Sequence, residues 1–86
     1  MINIKERLPQ MNEHDFALLR FKASTGQMIN PNGSFYDGEE EFCEIVDGIE
    51  FAKSRAQQIV DEDGNVEVSI FDRNGCFVAF FRGESG

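Results

Sequence analysis

The residues of this chain that could do chemistry are mostly carboxylates, and Glu39-Glu40-Glu41 with Glu44 forms their densest group. Paired acids move protons usefully only where their surroundings split their pKa values. A run of glutamates without an apolar frame reads instead as a solvated acidic face. His14 is the one histidine, and it stands between Glu13 and Asp15. A metal site needs further ligands at fixed spacing, and none follows, so His14 reads as a solvated turn residue. Asp61-Glu62-Asp63-Gly64-Asn65 has the acid density of a calcium loop. Glycine is not at the sixth place, however, and the closing glutamate is missing. Cys43 and Cys76 stand in apolar strand contexts, where thiols pack rather than react. No serine lies in a GxSxG elbow, and neither cysteine is matched to a general base. The expectation is therefore a protein without catalytic residues, metal or cofactor: not an enzyme.

Composition narrows the classes further. A chain of 86 residues makes one domain, near the lower end of what buries a core without staples. Hydrophobic residues are 41% and nine are phenylalanine, which is enough apolar surface to fold. The formal net charge of -8 favours solubility and opposes binding to phosphate backbones or anionic membrane surfaces. Two cysteines without a CxxC, in a chain with no secretion-like or membrane-length apolar run, read as reduced thiols and a cytoplasmic location. A bridge between Cys43 and Cys76 is the alternative. Asn32-Gly33-Ser34 matches a glycosylation sequon but reads as a turn.

The best-marked element runs from Asp47 to Glu62. Asp47 can cap a helix, with Glu50 in capping-box position. Ile49, Ala52, Ala56, Ile59 and Val60 make one apolar stripe at three- and four-residue spacing. Glu50, Ser54, Gln57, Gln58 and Asp61 fall on the wet side, and Gly64 is placed to close the helix in a left-handed conformation. Residues 16–23 read as a strand, with Ala17, Leu19, Phe21 and Ala23 on one face and Phe16, Leu18, Arg20 and Lys22 on the other. A short helix capped by Asn12 competes for the same residues. Residues 26–38 are turn chemistry in which Phe35 and Tyr36 need cover. Residues 42–46 read as a strand entering the helix. One long helix from Gly38 to Glu62 competes here, against the cost of Gly48 in its interior.

Val66 to Phe71 alternates, Asn74-Gly75 marks a hairpin turn, and Cys76 to Phe81 returns. A two-residue loop faces Ile70 with Ala79 and Val68 with Phe81; a three-residue loop shifts the pairing by one. The expected fold is α+β, a two-layer β-β-α-β-β arrangement: an antiparallel four-stranded sheet with one main helix, 47–62, on one face. Residues 1–12 form an N-terminal arm, 13–82 the single domain and 83–86 a disordered tail.

One helix covers one face of such a sheet. The other face is expected to show Phe71, Leu18 with Phe16, and some of Phe77, Val78, Phe80 and Phe81, and an apolar patch of that kind asks for a cover. The arm and the loop 26–38 are one cover; a second copy or another protein is the other. Phe51, off the helix stripe, joins the candidate interface, which is thus Phe16, Leu18, Phe51, Phe71, Val78 and Phe80.

Arg73-Asn-Gly-Cys-Phe-Val-Ala-Phe80 resembles the aromatic RNA-reading strand of RNA-recognition-motif domains at Arg73, Phe77, Val78 and Phe80. The resemblance implies bases stacked on the sheet. It covers eight residues, departs at Asn74, Gly75 and Cys76, lacks the partner strand motif and meets one helix where that fold needs two. Nucleic acid is therefore not an expected partner, nor is a membrane. The function expected is protein association, by a homodimer or an adaptor. A small-molecule or peptide sensor with its pocket between the loop 26–38 and the sheet is the alternative. An acidic decoy of a nucleic-acid-binding surface is a third reading.

Overall fold

A computed structural model of the chain describes residues 10–29 and 43–83. The expectations for the rest of the arm, for residues 30–42 with Phe35, Tyr36 and the glutamate run, and for 84–86 lie outside the described residues.

Five antiparallel strands and one helix make up the described chain: β1 (Asp15–Lys22), β2 (Met28–Ile29), β3 (Glu44–Asp47), α1 (Ile49–Glu62), β4 (Val66–Asp72) and β5 (Phe77–Arg82). The arrangement is the expected α+β one, with the helix packed on one side of the sheet. It has one strand more than the four read from sequence, because the start of the 26–38 loop pairs as β2. The sheet order is β2-β1-β4-β5, and β3 also pairs β1. Both short strands share one edge of β1: β3 lies along residues 15–18 and β2 along 20–21. β4 takes the opposite edge of β1 over its whole length.

Residues 15–22 are a strand rather than a helix because both of their faces are buried. Ala17, Leu18 and Leu19 are all at most 1% exposed, which a helix with one covered stripe would not provide. Asn12 does not cap a helix. Its carbonyl accepts from the Asp15 N–H at 3.1 Å, and its own N–H donates to Asp15 Oδ2 at 2.9 Å, which turns the chain into β1.

The helix stripe is as the spacing predicts: Ala52, Ala56, Ile59 and Val60 are buried. Both ends differ from expectation. The cap is Gly48, not Asp47, and no side chain bonds the first turn. Asp47 is still paired with Asp15 in the sheet, so the switch from extended to helical backbone falls on one residue. Gly48 makes it at φ 95°, a region closed to most side chains. At the other end Asp63 closes the helix in an extended conformation, its N–H donating to the Ile59 carbonyl at 3.1 Å. Gly64 is not at positive φ. Asp63 serves again, accepting the Asn65 N–H on Oδ1 at 3.0 Å, which starts β4.

The hairpin combines features of both expected loops. Val68 pairs with Phe81 and Ile70 with Ala79, the two-residue register, yet Phe71 pairs with Phe77. Val78 is the extra residue of a bulge, and Arg73-Asn74-Gly75 forms a three-residue loop with Gly75 at φ 79°. Asp72 Oδ1 holds that loop by accepting from the N–H groups of Asn74 and Cys76, both at 2.9 Å.

The core has two parts. Under the helix lie Leu18, Ile29, Ala52, Ala56, Ile59, Val60, Val66, Val68 and Ile70, joined by Phe16, Val46, Ala79 and Phe81. On the opposite face Ala17, Leu19 and Cys43 are buried, with Met11, Phe21, Met28 and Phe71 against them. Cys43 and Cys76 are not bridged to each other; Cys43 is buried and Cys76 exposed.

Candidate functional site

The candidate interface divides between the layers. Leu18 is fully buried under the helix, and Phe16 is partly buried on the same side, so both leave the candidate surface. Alternation correctly places Phe16 and Leu18 together. It does not say which face of the strand the helix takes. The β4 register decides that: Leu18 pairs with Ile70 and Arg20 with Val68, on the face where Val66, Val68 and Ile70 meet α1. Phe81 goes with them, opposite Val68. Phe51 is 73% exposed and rides on the first turn of α1, beside Gly48 and away from the helix-free sheet face.

Phe71 and Phe80 do share that helix-free face, Phe77 belongs with them, and Val78 lies between Phe77 and Ala79 as the exposed bulge residue of β5. A row crosses the sheet from Ile45 through Ala17 and Phe71 to Phe77. Phe71 and Phe77 meet edge to face, centroids 6.0 Å apart at 77° between planes, a favoured aromatic geometry. Beside that row, Phe80 stands opposite Ser69, which faces Leu19. The centre of the face is buried. Its β5 corner is not, with Phe77 61%, Phe80 47% and Val78 37% exposed. Phe71 is only half-buried and supports the corner from beneath. Phe77 is not in the candidate interface read from sequence, because its face depends on the bulge.

β5 also lies at the end of the strand order, so among the described residues it pairs on one side only, with β4. The site is thus an apolar corner continuous with a strand edge. It carries little charge: between Asp72 and Glu84 the chain holds no acid and two arginines, Arg73 and Arg82. Arg82 faces Glu67 across the ladder. Edge strands of natural proteins are commonly blunted by charge, proline or bulges. Here one bulge at Val78 precedes a regular run to Arg82.

A second cluster sits on the helix side. Glu44, read from sequence as part of a solvated acidic face, points under the helix because it shares β3 parity with Val46. It accepts from Arg20 Nη2 at 2.8 Å and from Arg55 Nε at 2.7 Å, and Arg55 Nη2 adds a contact at 3.2 Å. Burial pushes the Glu44 carboxyl up, but Arg55 and Arg20 together outweigh it and hold the group below its ordinary range. Arg55 is raised in turn, chiefly by its bond to Glu44. The concavity beside this cluster is lined by Arg20, Ile29, Arg55, Ile59, Glu62, Asp63 and Val66 and measures about 150 Å³. Sites for drug-sized ligands run from roughly 300 Å³ upward. The network ties β1, β3 and α1 together, which is a structural task.

His14 is exposed in the turn before β1, and its carbonyl accepts the Gly48 N–H at 2.8 Å. Among the described residues no group of three His, Cys, Asp or Glu side chains could hold a metal ion. No described helix is long and apolar enough to cross a membrane. No family model, no curated protein and no solved structure matches this chain.

Proposed function

We propose that this protein works by association through the β5 corner of its sheet, and that a second copy of the chain is the occupant. The observation that carries the reading is the coincidence of a strand edge that is unpaired among the described residues with Phe77, Val78 and Phe80 exposed beside it. A patch that combines unpaired backbone with large apolar side chains is a template for strand addition. A second copy suits it because β5 and its loop, residues 73–83, hold no carboxylate, whereas the chain as a whole is strongly acidic. Two acidic molecules approach most easily where neither presents acids.

The two phenylalanines show roughly 200 Å² of ring per copy, taking about 200 Å² for a whole side chain. Burying both pairs removes about 400 Å² from water, or up to about 10 kcal/mol at 25 cal/mol per Å². Association itself costs about 4–15 kcal/mol. With the edge hydrogen bonds added, the balance predicts a weak, concentration-dependent dimer rather than an obligate one.

Sedimentation equilibrium in reductant, over a hundredfold range of protein concentration and at two salt concentrations, tests this. The dimer should tighten as salt rises, because salt screens the repulsion of two copies of charge -8 and leaves apolar contact intact. Mass that stays monomeric to several hundred micromolar at high salt refutes it. The sensor and decoy readings have distinct signatures in ligand-dependent melting and in partner binding that weakens with salt.

A further inference from the structure

One two-fold register of the β5 edge sets the exposed Phe80 of two copies together. The bulge leaves Val78 without a ladder partner, so the regular run is Ala79 to Arg82. Within it Ala79 and Phe81 face the helix side, while Phe80 and Arg82 face the other side, opposite Ser69 and Glu67. Directly opposed residues of an antiparallel pair share a face. A two-fold axis perpendicular to the sheet keeps faces, so it must bring a residue opposite its own copy. Centring on Ala79 would set Phe77 against Phe81, which lie on opposite faces. Centring on Phe81 would set Phe80 against Arg82 and leave the two Phe80 rings apart. Centring on Phe80 sets the two exposed rings against each other and brings position 78 of each copy opposite Arg82 of the other.

We infer that two copies pair antiparallel along β5, with the two Phe80 side chains facing each other across the axis and Val78 of each copy opposite Arg82 of the other. This deepens the association reading and rests on it. The paired sheets become continuous, both helices lie on one side, and the exposed Phe80 rings meet on the other. Arg82 is flanked by Glu67 of its own chain and Val78 of the second copy, so no like charges oppose at the seam.

The register is tested at Val78, which is exposed and makes no ladder pair, so that its substitution spares the fold. Val78→Glu places a carboxylate opposite Arg82 of the second copy, twice by symmetry; Val78→Arg places like charges there. Sedimentation equilibrium should give Val78→Glu a dissociation constant lower than Val78→Arg by about tenfold or more, the sum of several cross-strand charge terms. Nonspecific repulsion predicts the opposite order, since Val78→Glu adds to the net negative charge of each copy and Val78→Arg subtracts from it. Circular dichroism and melting at low concentration check that both variants fold.

A dimeric wild type in which Val78→Arg associates as well as Val78→Glu, or better, overturns the register and leaves the association reading standing. A wild type that remains monomeric at high salt overturns both and leaves the edge to a different strand, such as an acidic peptide.

Discussion

Phe80→Glu should abolish association while leaving the fold unchanged. Phe80 is 47% exposed, so about half of its ring is in water in the free chain and available to a partner. That is roughly 90 Å² per copy, or about 190 Å² in a symmetric dimer, taking about 200 Å² for the full side chain. At 25 cal/mol per Å² the transfer is worth at most about 5 kcal/mol. If only half the exposed area is buried, about 2.4 kcal/mol is lost, which raises the dissociation constant some fifty-fold. Two carboxylates facing each other across the axis add to that. Within a single copy the same change touches a half-exposed site opposite Ser69, so its cost should stay near that of a surface substitution, about 0.5 kcal/mol. Sedimentation equilibrium reads the first quantity, and urea unfolding at a concentration below the dissociation constant reads the second. Phe71→Glu would not separate them, because Phe71 packs against the buried Ala17, Leu19 and Cys43. An unchanged dissociation constant for Phe80→Glu would remove Phe80 from the interface. A large loss of stability in the monomer would show that the corner belongs to the core.

Three further outcomes test the fold that carries the site. Gly48→Ala should cost about 1–3 kcal/mol in urea unfolding, because φ 95° is strained for a side chain and the new Cβ would lie 3.2 Å from the Phe51 ring. A neutral result would mean that the helix start relaxes without it. Leu18→Ala should cost about 2–5 kcal/mol, as for any fully buried leucine that leaves a cavity under the helix; a loss below 1 kcal/mol would contradict its burial. Glu44→Gln should lose about 1 kcal/mol at neutral pH, the scale of a partly exposed ion-pair network. The folded carboxyl of Glu44 lies below its ordinary value, so its stabilisation is present above the unfolded pKa. It fades as pH falls through the ordinary carboxylate range and is gone below the folded pKa. The gap between wild type and Glu44→Gln should therefore close in acid, and a gap that widens there would refute the assignment.

Much of this molecule is local and therefore legible in its residues. The stripe from Ala52 to Val60 specifies a helix, because positions three and four apart share a face whatever they later meet. The alternation in 66–71, with Asn74-Gly75 beyond it, specifies a hairpin on the same grounds. Together they imply the α+β class and one incompletely covered sheet face. Parity likewise groups Phe16 with Leu18 without reference to the rest of the chain.

Tertiary structure alone decided which side of each strand meets the helix. The β1–β4 register sets Leu18 beside Ile70 under α1, and a strand with apolar residues on both faces carries no local mark of that choice. The bulge at Val78 likewise follows from fitting Ile70 to Ala79 and Phe71 to Phe77 within one hairpin, and it turns Phe77 onto the helix-free side. Asp47 was free to cap a helix until sheet pairing with Asp15 claimed it, which moved the cap to Gly48. Local pattern determined which residues share a face. Long-range register determined what each face touches, because it depends on contacts between residues far apart in the chain.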